Sequence, residues 1–171
     1  MEFVPSHCPY CGSELGMKRE EGRERLYCSS CDRIIWRNAE PVAGVAVKKG
    51  EEVLLVKRGI EPGKGKWSLP AGFLELEETA EEAAVRELEE ETDLSAEKGD
   101  LEFLDTLNIE RFPEQRLLAV VFLLDAEEAE GEVSPGSDAV DAGFWNLEDF
   151  EDSEEELRSH FLPALEGLLD N

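Results

Sequence analysis

Positive charge is scarce in this 171-residue sequence: lysine occurs seven times and arginine ten, against 42 acidic side chains, for a net charge of −25. A surface of that sign repels nucleic acid at long range, so nucleic acid is not an expected partner. Long hydrophobic runs are missing too. No stretch approaches 18 apolar residues, so no membrane-spanning helix is expected. Met1-Glu2-Phe3-Val4-Pro5 lacks the basic start and apolar run of a secretory leader, and the expected compartment is the cytoplasm. Histidine appears twice, as His7 and His160, both expected on the surface, and no Cys-His or Ser-His-Asp arrangement is apparent. Cysteine stops at residue 31, and there is no internal repeat or low-complexity linker.

What is present suits one domain of ordinary size plus a small appendage: 41% of residues are apolar, with three tryptophans and eight phenylalanines to build a core. Charge divides the chain. Residues 1–37 carry six basic and six acidic side chains, whereas residues 38–171 carry 11 basic and 36 acidic and hold all of the net charge. The acids are spread throughout, which fits a halophilic protein whose high-salt cytoplasm screens the repulsion.

The first unit, residues 1–37, contains all four cysteines as two pairs, Cys8-Pro9-Tyr10-Cys11 and Cys28-Ser29-Ser30-Cys31, with 16 residues between the pairs. That spacing falls in the range of a four-cysteine zinc site, each knuckle supplying two thiolates, and Gly12 suits the first knuckle's turn. So few residues cannot bury a core, so Zn²⁺ is expected to supply the folding energy. Two disulfides would suit a secreted protein and a redox Cys-x-x-Cys would suit a helix after the pair; with no leader-like start and no helix pattern after either pair, neither is expected. Arg19, Arg23, Arg25, Arg33 and Arg37 would suit nucleic acid, but interleaved acids cancel the patch. The ribbon is therefore expected to brace the main domain or to contact a second copy in a homodimer.

Alternation and turn residues lay out the remainder. Strands are expected over 41–48 and 53–56, joined by the turn Lys49-Gly50-Glu51, followed by a loop from Gly59 to Lys66 whose cations, with Lys57 and Arg58, could contact phosphate. Trp67-Ser68-Leu69 is a short strand. Strands over 101–110 and 115–125 flank a tight link, Arg111-Phe112-Pro113. An acidic loop over 126–137 leads to a strand over 140–145. Ser153 and Glu156 form a capping box for a last helix with Leu157, Phe161, Leu165, Leu168 and Leu169 on one face, kinked or split at Pro163.

The stretch Gly72 to Leu94 organises the chain. After the turn Leu69-Pro70-Ala71-Gly72 comes a loop, then a helix from about Thr79 to Glu91, capped by Thr79 with Glu82 closing a capping box. Ala80, Ala84 and Leu88 share one face with Ala83 beside them, while Glu87, Glu90 and Glu91 crowd another. On a bare helix those like charges repel; a hard divalent cation would reverse the sign, because carboxylate oxygens are what Mg²⁺ binds.

These residues resemble the Nudix hydrolase signature: Gly, five residues, Glu, seven residues, then Arg-Glu-aliphatic-any-Glu-Glu-any-Gly-aliphatic. Here that reads Gly72, Glu78, Arg86-Glu87-Leu88, Glu90-Glu91 and Leu94. Asp93 stands where the family has Gly, a departure expected to cost modest stability, since Asp tolerates the left-handed backbone past a helix end. The resemblance covers residues 40–169 and implies an α/β (α+β) fold, the αβα sandwich with a mixed sheet, over residues 38–171. It implies hydrolysis of a nucleoside diphosphate linked to another group. Glu87, Glu90 and Glu91 would ligate Mg²⁺ or Mn²⁺, Arg86 would orient a carboxylate with Glu78, and Gly72 would allow the sharp loop. A further carboxylate acting as base is expected at Asp138 or Asp141, with Glu110 and Glu114 as alternatives, and Phe112 or Trp67 could stack on an adenine.

A ribbon before such a box looks like two branches. The NADH pyrophosphatases carry a further Ser-Gln-Pro-Trp-Pro-Phe-Pro signature that is absent here, where Arg111-Phe112-Pro113-Glu114-Gln115 is the nearest stretch. The loop Ser134-Pro135-Gly136-Ser137-Asp138 and the tail Phe161-Leu162-Pro163-Ala164-Leu165 look more like the ADP-ribose and FAD pyrophosphatases. ADP-ribose is the expected substrate, with NADH or FAD as alternatives. The rival class is a nucleotide-sensing or nucleic-acid-binding module without catalysis, which the complete carboxylate set argues against.

Overall fold

Three short antiparallel strands, β1 (Gly16–Glu20), β2 (Arg23–Cys28) and β3 (Arg33–Ile35), form a sheet in the order β1-β2-β3 near the start of the chain. The structure, a computed structural model, describes residues 4–112, 115–151 and 153–169. Its contacts divide the chain into two units: residues 1–39 with 110–116, and residues 40–109 with 117–171. In the first, Glu21 and Gly22 both take positive φ (49° and 80°) between the paired residues Glu20 and Arg23. Two left-handed residues match the twist of the flanking strands, which is why a tight turn fits here. Three of the five basic residues of this sheet lie over aromatic rings: Lys18 over Tyr27 at 4.9 Å, Arg25 over Trp36 at 4.9 Å and Arg33 over Tyr10 at 5.1 Å. The sequence placed a ribbon here without its strand bounds, because they come from cross-strand pairing that alternation in such short, charged segments does not display.

The second unit is built on β4 (Glu40–Lys49), which pairs in parallel with β9 (Gln115–Asp125) from Glu40↔Leu117 to Lys48↔Asp125. β5 (Glu52–Arg58) returns antiparallel across a turn at Gly50 but pairs with β4 only at Lys48↔Val53 and Lys49↔Glu52. Beyond that point the two strands diverge. The fork is filled by β6 (Trp67–Ser68) against β5 and β7 (Ala71–Phe73) against β4. Gly44 makes the filling fit, because a Cβ there would sit 2.8 Å from the Ala71 Cβ. With β8 (Glu102–Phe112) and β10 (Ala139–Asn146) on the edges, the mixed sheet runs β10-β5-β4-β9-β8.

Both faces of β4 are covered, so its side chains are apolar or small throughout. Val42 and Ala46 join a core with Leu55, Trp67, Phe150, Phe161 and Leu165, while Ala43, Val45 and Val47 face α1 (Ala80–Thr92) through Ala83, Ala84 and Leu88. The alanines let the helix backbone approach the sheet closely. α2 (Leu147–Glu151) and α3 (Leu162–Leu169) complete the α+β sandwich. No helix among the described residues is long and apolar enough to cross a membrane.

Three expectations need correction. Gly72 lies in strand β7 rather than a loop. Ser153 caps no helix: its hydroxyl donates to the Phe150 carbonyl at 2.7 Å and accepts from the Glu155 N–H at 3.1 Å. The segment after it is extended because it hydrogen-bonds β6, Trp67 N–H donating to the Glu156 carbonyl and Arg158 N–H to the Trp67 carbonyl, each at 2.8 Å. The split expected at Pro163 is present: a 3-10 turn over Ser159–Phe161 ends where α3 begins, and Pro163 stands in the first turn of α3, where its missing N–H costs nothing. His160 is half-buried beside Phe161 at 4.9 Å, and burial, aided by Arg158, lowers its pKa to about 4. The exposed His7 accords with its expectation. Pro113 and Glu114 lie outside the described residues, as do the side chains of Arg111 and Phe112.

Candidate active site

Helix α1 begins as its sequence dictates. The Thr79 hydroxyl accepts from the Glu82 N–H at 3.3 Å and the Glu82 carboxylate accepts from the Thr79 N–H at 3.0 Å. Lys98 contacts Glu82 at 2.7 Å, and that hydrogen bond with the capping N–H brings the Glu82 pKa down to about 2. The helix ends on Asp93 at φ 60°, whose N–H donates to the Glu89 carbonyl at 3.0 Å. The family position of a left-handed residue is thus occupied by an Asp in that conformation.

Between these ends, Arg86 gathers the acids. Its Nε and Nη2 grip the two oxygens of Glu78 at 2.6 and 3.0 Å, Nη1 reaches Glu87 at 2.7 Å and Glu90 at 3.5 Å, and Nη2 also donates to the Phe73 carbonyl at 3.0 Å. A planar fork with five donors can hold that many acceptors in one place; a lysine could not. The hydrogen bond to Glu78 raises the Arg86 pKa and lowers that of Glu78.

Glu87 and Glu91, one turn apart, face β7. A Cβ on Gly72 would lie 2.0–2.4 Å from the Glu87 carboxylate atoms, so only glycine leaves room for that carboxylate. Glu91 is 4% exposed and accepts from the Ala71 N–H at 3.0 Å. No basic side chain pairs with it among the described residues. Burial, then a hydrogen bond from its neutral form to Asp138, pushes its pKa up to about 9; burial also raises that of Glu87. Asp138 arrives on a strap along the helix end, Ser134 N–H donating to the Thr92 carbonyl and Gly136 N–H to the Glu91 carbonyl. The strap runs so close that a Cβ on Gly136 would be 2.5 Å from the Glu90 carbonyl oxygen.

The structure therefore brings together Gly72, Glu78, Arg86, Glu87, Glu90, Glu91 and Asp138. It does not bring Asp141 in: that residue is exposed, and its carboxylate accepts from the adjacent Ala142 N–H at 2.9 Å. Glu110 is engaged by Arg116 at 2.5 Å. Trp67 is 2% exposed, donates to Glu155 at 2.8 Å and meets Trp145 edge-on at 5.2 Å, so it is a core residue with no free face for a base. The cations offered for phosphate contact are largely engaged: Lys57 with Glu155 at 2.8 Å, Lys66 with Glu156 at 2.6 Å and Arg58 with Asp138 at 3.0 Å. The sequence reading missed this last pair, because nothing local links residues 80 positions apart.

A crowded carboxylate set that runs from buried Glu91 through half-buried Glu87 to exposed Glu90 suits a hard divalent cation, which would relieve the burial penalty on Glu91 and the repulsion between Glu87 and Glu90. The first unit offers a different donor set. The sulfurs of Cys8, Cys11, Cys28 and Cys31 lie within 4.8 Å of one another, with Cys8–Cys31 at 4.0 Å and Cys11–Cys28 at 3.6 Å, and all four are free thiols. Thiolates placed tetrahedrally around an ion at ~2.3 Å stand about 3.8 Å apart, so these separations fit one. Hydrogen bonds from Ser13 lower the Cys11 pKa to about 6, while sharing with Cys11 and burial push Cys31 up to about 12. Four thiolates cannot stand together without a cation between them.

Comparison with known proteins adds to this geometry. The NUDIX domain family matches residues 39–165. An ADP-ribose pyrophosphatase of Methanocaldococcus jannaschii is 38% identical over 130 residues, 76% of this chain and 70% of that protein. An NAD-capped RNA hydrolase of Erwinia tasmaniensis is 29% identical over 150 residues, 86% of this chain but only 54% of its own length. Among solved structures, a NUDIX hydrolase of Nitrosomonas europaea superposes with a TM-score of 0.72 at 25% identity, covering 96% of this chain and 88% of that one.

Proposed function

The chain belongs to the Nudix family, and from that premise we propose that it hydrolyses the pyrophosphate bond of a nucleoside diphosphate derivative, ADP-ribose foremost, with Mg²⁺ or Mn²⁺ held by Glu87, Glu90 and Glu91. The observation that carries the reading is Glu91: a carboxyl on a buried helix face, without a basic partner among the described residues and flanked by Glu87 and Asp138, is an arrangement that a divalent cation makes favourable. A bound divalent ion would neutralise a pyrophosphate and acidify a water. The chain's own groups do the rest. The Ala71 N–H fixes the rotamer of Glu91, Arg86 keeps Glu78, Glu87 and Glu90 in one cluster, Gly72 leaves space for Glu87, and Asp138 is the carboxylate placed to accept a proton beside Glu91.

The four cysteines hold a structural Zn²⁺, soft thiolates at tetrahedral spacing favouring that ion over Mg²⁺. For the ribbon we propose a bracing role or contact with a second copy in a cytoplasmic homodimer, three of its six cations being stacked on its own aromatics rather than offered to nucleic acid.

A second reading, cleavage of an NAD-type dinucleotide, is favoured by the resemblance to the NAD-capped RNA hydrolase and opposed by the missing Ser-Gln-Pro-Trp-Pro-Phe-Pro stretch. Metal-dependent hydrolysis measured over ADP-ribose, NADH, FAD and dinucleoside polyphosphates tests both. The expected order puts kcat/KM for ADP-ribose above NADH. A preference of about tenfold or more for NADH, roughly 1.4 kcal/mol in transition-state binding, reverses the choice of substrate.

A further inference from the structure

Arg58 ends strand β5 and its side chain is 15% exposed. Its Nη2 lies 3.0 Å from Asp138 Oδ2 and its Nε donates to the Pro62 carbonyl at 3.3 Å. The backbone around it is equally committed. Arg58 N–H donates to the Lys66 carbonyl at 3.0 Å, Gly65 N–H returns to the Arg58 carbonyl at 2.8 Å, and Gly59 N–H donates to the Asp138 carbonyl at 2.7 Å. The loop from Gly59 to Lys66 thus closes on the arginine that precedes it.

On the facing strand, β10 pairs Ala139 with Arg58 but Asp141 with Lys57, so Val140 is an inserted residue, a bulge. Bulges re-aim the side chains beside them. The space for this one is made by Gly59, whose Cβ would stand 2.5 Å from Val140 Cγ1 and 3.0 Å from the Asp138 carbonyl oxygen. Clamp and bulge act on the same target, the Asp138 side chain, whose carboxyl neighbours that of Glu91.

We propose that Arg58 is a positioning residue of the candidate metal site, holding the Asp138 carboxylate against Glu91. The inference rests on the function proposed above. Arg58 has a guanidinium group already committed to Asp138 and Pro62, which distinguishes it from a cation waiting for substrate phosphate. A positioning role and a substrate contact also differ in sign and in kinetics. Removing a cation that merely sits nearby would strengthen binding of a divalent metal, whereas removing the group that orients Asp138 would weaken it.

The test is a double-mutant cycle of Arg58→Met and Asp138→Asn on zinc-replete protein. It reads Mn²⁺ affinity from the electron paramagnetic resonance of free Mn²⁺, alongside kcat and KM on ADP-ribose. Arg58→Met is expected to weaken Mn²⁺ binding and to lower kcat, each by about tenfold or more, with KM changed by less than about threefold. In the Asp138→Asn background the same substitution should add almost nothing, and Arg58→Lys, with the charge but not the fork, should fall between. Unchanged or tighter Mn²⁺ binding overturns the proposal. So does a raised KM at constant kcat, which would mark a phosphate contact, or full additivity with Asp138→Asn. If Arg58→Met fails to fold, Arg58→Lys carries the same cycle. A wild type that binds Mn²⁺ but hydrolyses none of the nucleotides refutes the proposed function and leaves the Mn²⁺ cycle to decide this inference; a wild type that binds no Mn²⁺ overturns both.

Discussion

A carboxyl that is 4% exposed, with its pKa pushed up to about 9 against an ordinary 4.5, works against the fold that holds it. Because the folded-state value is raised, the favourable contribution is complete below pH 4.5 and is lost as pH rises through about 9. Thermal melts of zinc-replete protein without added Mg²⁺ or Mn²⁺ should therefore show declining stability across that window. Glu91→Gln should flatten the decline, leaving stability at pH 8 level or higher, while kcat with Mg²⁺ falls by orders of magnitude. Retained activity in both Glu90→Gln and Glu91→Gln would remove these residues from the metal site. Asp93 supports a smaller prediction. Its φ of 60° is a conformation glycine adopts freely, so Asp93→Gly should raise stability by about 0.5–1 kcal/mol in denaturant titrations, with hydrolysis unaffected. At this scale the sequence was informative wherever spacing along one helix determines proximity, as for Arg86 with Glu87 and Glu90. It could not separate Asp138 from Asp141, because their difference lies in a single inserted residue in the pairing of two distant strands.

Elements were readable in proportion to how local their causes are. α1 announced itself through its capping box and its alanine face, both of which the structure contains. β6 falls inside the short strand expected at Trp67-Ser68-Leu69, but β7 did not announce itself, since a three-residue strand owes its existence to the fork between β4 and β5 and to Gly44, not to any pattern of its own. Ser153 and Glu156 had the spacing of a cap, but the backbone after them gains more from pairing with β6 than from a helical turn. The strands of the first unit, three to six residues each, are the elements with least to hold them. Strands that short bury too little apolar surface to fold unaided. Elemental analysis should find one Zn²⁺ per chain, and a strong chelator should abolish amide protection in β1–β3 while β4, β5 and β9 stay protected. Two disulfides and no metal would contradict the ribbon assignment.

The molecule as a whole carries a net charge of −25, concentrated beyond residue 37. Such a surface repels itself in dilute buffer, so the midpoint of thermal unfolding should rise steeply with KCl toward molar concentrations as the screening length falls from about 10 Å to about 3 Å. Full stability at low ionic strength would point instead to a bound cation or partner that uses the charge. At this scale the sandwich was legible through the resemblance that the Gly72–Leu94 box carries, with the order of strands and helices consistent with it. The parallel pairing of β4 with β9 was not, since nothing near either strand identifies the other. That pairing also has a consequence in time. The central strand, complete by residue 49, waits for a partner that ends at residue 125, so a ribosome must deliver more than seventy further residues before the sheet can close. The four cysteines, all delivered by residue 31, face no such wait. During synthesis the β1–β3 sheet and its cysteines are free to mature first, while the larger unit stays open until its second half arrives, and long-range closure of that kind is the slow step in folding.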